Sequence, residues 1–262
     1  TERIPYVRSC GVGVWIDLGS RHERDDQLGL SHFLEHMLFK GTTDLNAQDI
    51  GNAMNYLGGN MNAYTTQEVI CLHAKTVQRK GHEALELIAL MITDSTFPAD
   101  ELKRERQVVL EEYNMYEDSP EDLSVDLFLK NLWPEHPLGR PVIGSLKSIR
   151  SFSRERLAEF WGGHFDPSRI VISIAGSFDA RACDAVIRRR FGSLSPGPGR
   201  KKRGVKAAKS PRDGKRSYLK RPIEQAHFCY GVAGPSLKSS DRFPFALCNM
   251  ILGGGTSSRL FQ

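Results

Sequence analysis

Two histidines and a glutamate within five residues, His32, Glu35 and His36, are the side chains of this 262-residue chain whose types and spacing could do chemistry. At helical pitch the two imidazoles, four positions apart, project from one face one turn from each other, where a single metal ion can bridge them. Glu35 lies beside that face. It can take a proton from a water without occupying a coordination position. The flanking residues Phe33, Leu34, Met37, Leu38 and Phe39 are apolar. Stacking two imidazoles among them costs desolvation that a partner must offset, and a metal ion is the partner of the right chemistry.

Catalytic zinc usually takes three protein ligands and leaves the fourth position to water, so a third ligand must come from elsewhere in the chain. The charged stretch from 101 to 113 places Glu105 and Glu112 seven apart on one helical face, with Val108 and Val109 between them. Glu112 is the candidate ligand. Glu105, two turns earlier, is the candidate to hydrogen-bond a ligand histidine or the water. On a helix this charged the ordinary fate of a glutamate is a solvated face, which is the reading for Glu111.

These residues need a frame that holds them, and the chain reads as α+β. Residues 10 to 18 and 68 to 76 alternate as strands do, while 32 to 40 and 48 to 57 read as helices, the second ended by Gly58 and Gly59. Apolar positions 84, 85, 87, 88, 91 and 92 form a helical stripe that belongs to a core. Pro98 suits the start of the helix carrying Glu105 and Glu112. Further helices are expected near 120 to 131, 153 to 162 and 179 to 191, with a Val- and Ile-rich strand at 169 to 175. Residues 60 to 66, rich in Asn, Thr and Tyr, suit another strand.

The chain resembles the inverzincins, the pitrilysin-type zinc peptidases with an inverted His-x-x-Glu-His signature. Within them it is most similar to the mitochondrial-processing-peptidase-like branch. The resemblance runs through His32 to Thr42, Gly58 to Thr65, Glu105 to Glu112, Pro137-Leu138-Gly139-Arg140-Pro141 and Leu252 to Leu260, in that order. It implies His32, His36 and Glu112 as ligands of Zn2+, Glu35 as general base and Glu105 as supporting acid, and it alone decides Glu112 over Glu111. It further implies that an extended peptide adds as a strand to the segment holding Asn62, Ala63 and Tyr64, which become substrate contacts.

The resemblance also implies duplicated domains, each a largely antiparallel sheet packed by helices. At an offset of 214 residues Phe228, Tyr230 and Val232 fall on Val14, Ile16 and Leu18, and Leu252, Gly255 and Thr256 on Leu38, Gly41 and Thr42. Ala246 and Met250 then stand where His32 and His36 do, which describes a metal-free copy. The expected organisation is a zinc-bearing domain at 1–194, a linker at 195–217, and the start of the second copy at 218–262, incomplete here. The rest of that copy, or a second homologous subunit, is expected to close over the site and to supply the family's substrate-binding Arg and Tyr.

Composition excludes other classes. The net charge of +5 is concentrated in 195–217, which holds 9 of the 36 basic residues, while the remainder carries 27 basic and 30 acidic residues. A basic Pro- and Gly-rich run of this kind reads as a solvated linker, and nucleic acid is not the expected partner. No apolar run reaches the length of a membrane span, and no signal-peptide pattern opens the chain. Five scattered cysteines, 10, 71, 183, 229 and 248, read as small buried hydrophobes in a reducing compartment. His73, His82, His136, His164 and His227 lack paired spacing, there is no Gly-x-Ser-x-Gly elbow, and the Gly253 to Gly255 run lacks the Lys-Ser/Thr of a phosphate loop. The acidic run from Glu111 through Glu117, Asp118, Glu121, Asp122 and Asp126 is expected to attract basic peptides.

The expected activity is therefore endoproteolysis of extended or presequence-like peptides by a zinc-activated water. The alternative is a non-catalytic partner subunit of a processing-peptidase-like complex. The bacterial cytoplasm is the expected setting, with the mitochondrial matrix second.

Overall fold

The computed structural model describes residues 1–195 and 216–262. In chain order the strands are β1 (Glu2–Arg3), β2 (Ser9–Ile16), β3 (Asn60–Thr65), β4 (Ile70–Val77) and β5 (Ile170–Gly176). The helices are α1 (Leu30–Leu38), α2 (Ala47–Tyr56), α3 (Gly81–Thr93), α4 (Ala99–Glu117), α5 (Pro120–Leu132), α6 (Leu146–Arg150), α7 (Arg154–His164), α8 (Ala180–Phe191) and α9 (Arg242–Gly253). The strands form one sheet in the order β1-β5-β2-β4-β3, antiparallel except for the short β1–β5 pairing.

Alternation decides which face is buried. Cys10, Val12, Val14 and Ile16 of β2 point inward beside Ile70, Leu72, Ala74 and Thr76 of β4, and the register sets Val14 against Leu72 and Ile16 against Ile70. On β3 the inward positions are Met61, Ala63 and Thr65, paired with Ala74, Leu72 and Ile70. The opposite face carries Trp15, Cys71, Tyr64 and Val171, aligned across four strands.

Helix α1 lies in the core against that inner face. Leu30, Phe33, Leu34, Met37 and Leu38 are fully buried, each contributing about 1.5–3 kcal/mol of apolar burial. Phe33 packs on Phe152, with ring centroids 5.0 Å apart, so a charge at Phe33 or Leu34 would unseat the helix from the sheet. Helix α3 supplies the expected apolar stripe, burying Ala84, Leu85, Leu87, Ile88, Met91 and Ile92, and it packs on α8 as well as on β2 and β4. Helix α4 begins one residue after Pro98, whose fixed φ and missing N–H suit that place.

The strands and helices expected up to residue 191 are present, with ends shifted by a few residues. Beyond them α9 forms and carries Ala246 and Met250, the residues that the 214-residue offset sets on His32 and His36. Phe228, Tyr230 and Val232, which the same offset sets on Val14, Ile16 and Leu18, do not lie in a strand. Those three side chains are exposed, and the backbone there has no ladder partner among the described residues, without which an extended segment is not a strand. Cys10, Cys71 and Cys183 are buried as expected, but Cys229 and Cys248 are exposed, because the segments carrying them do not pack into the core. The expected linker, 195–217, lies almost wholly outside the described residues.

Candidate metal centre

The apolar stripe of α1 turns Phe33, Leu34, Met37 and Leu38 into the core and leaves His32, Glu35 and His36 at its border with α4 and the end of β3. Helix α4 buries Leu102, Glu105 and Val109 against the protein, which brings Glu105 and Glu112 over the imidazoles. The two rings meet edge to face with centroids 4.7 Å apart. His32 Nε2 lies 3.6 Å from Glu112 Oε1, and His36 Nε2 lies 3.5 Å from Glu112 Oε2.

These distances suit a metal ion. Ligand atoms each about 2.1 Å from a tetrahedral zinc stand about 3.4 Å from one another. Among the described residues, His32, His36 and Glu112 are the group whose nitrogen and carboxylate donors gather this way, all within 4.8 Å of one another. Both histidines present Nε2. At His36 the other nitrogen is committed, since Nδ1 donates to Glu105 Oε2 at 3.2 Å and Lys40 Nζ donates to Glu105 Oε1 at 2.8 Å. A carboxylate accepting from both sides leaves Nε2 with the lone pair that a metal needs. His32 Nδ1 is buried and has no hydrogen-bond partner.

The electrostatics follow from this geometry. Burial and the neighbouring His36 press the pKa of His32 down to about 4, against the pull of Glu112. Burial acts the same way on His36, but Glu105 and Glu112 at its two nitrogens, with the charge of Glu35, raise it to about 9. Glu105 is only 6% exposed, and burial would raise its carboxyl, yet His36 and Lys40 hold it below the usual range. Glu112 is likewise lowered, chiefly by His36. Glu35 is raised by burial, with Thr65 and His36 opposing. Thr65 Oγ1 donates to Glu35 Oε2 at 2.6 Å, so the end of β3 fixes that carboxylate beside the candidate ligands.

The structure thus brings together His32, Glu35, His36, Glu105 and Glu112. Strand β3 is the open edge of the sheet, but its side chains divide. Ala63 faces the core, whereas Asn62 and Tyr64 lie on the opposite face, away from the imidazoles. Ala63 N–H donates to Asn62 Oδ1 at 2.9 Å rather than across the ladder to β4, which places the N–H and C=O of Ala63 on the open edge. Two residues escape the sequence reading. Lys40 follows His36 by four positions, a spacing that could have flagged it, and Thr65 sits on the inward side of its strand beyond Ala63. In the acidic run Glu117 is paired with Arg221 at 3.1 Å, and Asp126 is half-buried beside Tyr116, so that charge is partly spent inside the molecule.

Residues 1–146 match the insulinase (peptidase family M16) model, and residues 151–262 match that of the peptidase M16 inactive domain. The chain belongs to peptidase family M16. All three candidate ligands fall in the first match, while β5, in the second, is hydrogen-bonded to β2 of the first. This M16 chain is 38% identical over its full length to a zinc protease of Bacillus subtilis, YmxG, covering 63% of that protein. It is 39% identical to the zinc protease Rv2782c of Mycobacterium tuberculosis, covering 60% of it. The chain therefore spans somewhat over half the length of the curated relatives it matches. A protease from Helicobacter pylori shares the fold with a TM-score of 0.82 at 24% identity, over 99% of this chain and 64% of that one. The α+β fold is that of M16 proteins, and no helix among the described residues is long and apolar enough to cross a membrane.

Proposed function

We propose that this chain is the zinc-bearing portion of an M16 metalloendopeptidase, with His32, His36 and Glu112 as metal ligands. The observation that carries the reading is the convergence of two Nε2 atoms and the Glu112 carboxylate at spacings a tetrahedral ion requires, with Glu35 held beside them. Zinc supplies a positive charge that acidifies water and polarises a carbonyl.

The chain's own residues do the rest. Glu35, raised by burial and oriented by Thr65, accepts the proton of the attacking water and returns it to the departing amine nitrogen. Glu105 holds His36 in the tautomer that leaves Nε2 free, and Lys40 balances the buried charge of Glu105. An extended peptide pairs its backbone with the open edge of β3 at Ala63, displacing the Asn62 side chain that occupies that N–H. Asn62 and Tyr64 then contact the peptide from the outer face of the sheet, opposite the metal.

A homologous second half, or a second subunit, closes over the site, and extended presequence-like peptides are the substrate class. The relatives named above are bacterial, which favours a bacterial cytoplasm over the mitochondrial matrix. Replacing Glu35 with Gln in the full-length protein should leave zinc bound at one equivalent while cleavage of a quenched peptide disappears. Undiminished turnover would remove Glu35 from the role of base. Stoichiometric zinc with no chelator-sensitive cleavage by the unaltered protein would point instead to a non-catalytic partner subunit.

A further inference from the structure

The ligand helix begins without a side-chain cap. Its N-cap is Gly29, in the left-handed region at φ 88°, which has no side-chain oxygen to offer the free N–H groups of the first turn. The oxygens come from Glu23, which is 4% exposed. Its Oε2 accepts from Gly29 N–H at 2.8 Å and its Oε1 from Ser31 N–H at 2.7 Å, so one carboxylate spans the entry to the helix immediately before His32. A carboxylate at a helix N-terminus is also favoured by the helix dipole.

Glu23 is held in turn by a distant segment. Arg140 donates to the Glu23 backbone carbonyl at 2.6 Å and to Asp25 Oδ1 at 2.6 Å. Arg156 donates to the Asp26 carbonyl at 2.5 Å, securing the same loop. The backbone after Arg140 closes on the helix entry, where a Cβ at Gly29 would lie 2.5 Å from the Ile143 carbonyl oxygen and one at Gly144 would lie 2.5 Å from the Leu28 carbonyl oxygen. Both positions have left-handed φ and no room for a side chain. Nothing comparable holds the His32 ring itself, whose Nδ1 has no partner.

The structure assigns Glu23 as the positioning residue for His32, acting through the backbone of the first turn of α1, with Arg140 locking Glu23 in place. The assignment rests on the reading of His32 as a zinc ligand. Glu23 touches neither metal nor substrate. It sets where the helix, and with it the His32 Nε2, stands relative to Glu112.

The test uses the full-length protein with Glu23→Gln, which keeps the volume but offers one acceptor for two N–H groups, and with Arg140→Lys. Zinc affinity is read by competition with a chromophoric chelator, amide hydrogen exchange at Gly29 and Ser31 in the zinc-free protein, and kcat and KM with a quenched peptide. For Glu23→Gln the expected result is a zinc affinity weaker by about 10- to 100-fold, faster exchange at both amides, and a lower kcat at unchanged KM. Arg140→Lys should shift all three the same way by less, and it decides the matter if Glu23→Gln does not fold. Unchanged zinc affinity alongside a lowered melting temperature would overturn the assignment, because a merely structural role moves only the latter. If the unaltered protein binds no zinc, the metal reading falls by itself. Exchange at Gly29 and Ser31 then still decides whether Glu23 holds the helix, and unchanged exchange refutes that too.

Discussion

The two ends of α1 present the same residue type to the same carboxylate by opposite means. At the N-terminal end His32 has one nitrogen toward Glu112 and the other buried without a partner, and its place is set through the backbone that Glu23 holds. At the C-terminal end His36 is gripped by side chains, with Glu105 on Nδ1, Lys40 behind Glu105, and Glu112 before Nε2. The consequence is electrostatic. One imidazole is driven toward neutrality and the other toward protonation, although both sit on one helix a single turn apart. Helical spacing sets two imidazoles before one carboxylate; it does not make them equivalent.

The largest effect should come from deleting either imidazole. His32→Ala and His36→Ala should each abolish stoichiometric zinc, measured by metal analysis. In the zinc-free state the two should part company: His36→Ala strands the buried Glu105 with Lys40 alone and should cost about 1–3 kcal/mol in denaturant unfolding, while His32→Ala removes no hydrogen bond from Nδ1 and should cost less. Equal losses would erase the distinction between the two ends. Next, Glu105→Gln should weaken zinc binding by about 10- to 100-fold and bring the His36 pKa, followed by NMR in the zinc-free protein, down from its raised value.

A subtler test counts protons. Between pH 6 and 8 the zinc-free protein carries a proton on His36, whose pKa is raised to about 9, but none on His32, whose pKa is lowered to about 4. Zinc binding at those pH values should release about one proton, and affinity should rise about tenfold per pH unit, as read by calorimetry in buffers of different ionisation enthalpy. Release of two protons would show His32 to be charged as well. The same shifts set the stability of the zinc-free fold. The His36 contribution is present below its ordinary pKa of 6.5 and is lost as pH rises through about 9, whereas His32 costs stability as pH falls from 6.5 toward 4. The smallest effect belongs to Lys40→Met, which leaves Glu105 on His36 but removes its second partner and should weaken zinc binding only a few-fold.

Much of this centre was legible before any coordinates. His32, Glu35 and His36 follow from a five-residue pattern, because helical geometry maps spacing directly onto a face; the two-turn spacing puts Glu105 and Glu112 on one face of a charged helix, but it was the resemblance that chose Glu112 over Glu111. Strand β3 was legible from its alternation, but the division of Asn62 and Tyr64 from Ala63 depends on which face of the sheet the helices cover. Phe228, Tyr230 and Val232, matched by the offset to positions 14, 16 and 18, form no strand for a related reason: a strand needs a partner to pair with, which the offset does not name. Glu23 gave no signal, since a carboxylate six to eight residues before the N–H groups it binds fits no local capping pattern.

By itself, then, the sequence determined the pair of imidazoles with Glu35, the α+β pattern and the helix that carries both imidazoles, consequences of short-range periodicity, while its resemblance to a family named Glu112. Only the tertiary structure decided which carboxylate faces which nitrogen, that Thr65 steadies Glu35, and that a loop more than a hundred residues away locks the start of the ligand helix. Those contacts join segments whose separation in the chain is set by folding, and the shifts in pKa they produce depend on burial and charge at distances of a few ångströms, which no local spacing encodes.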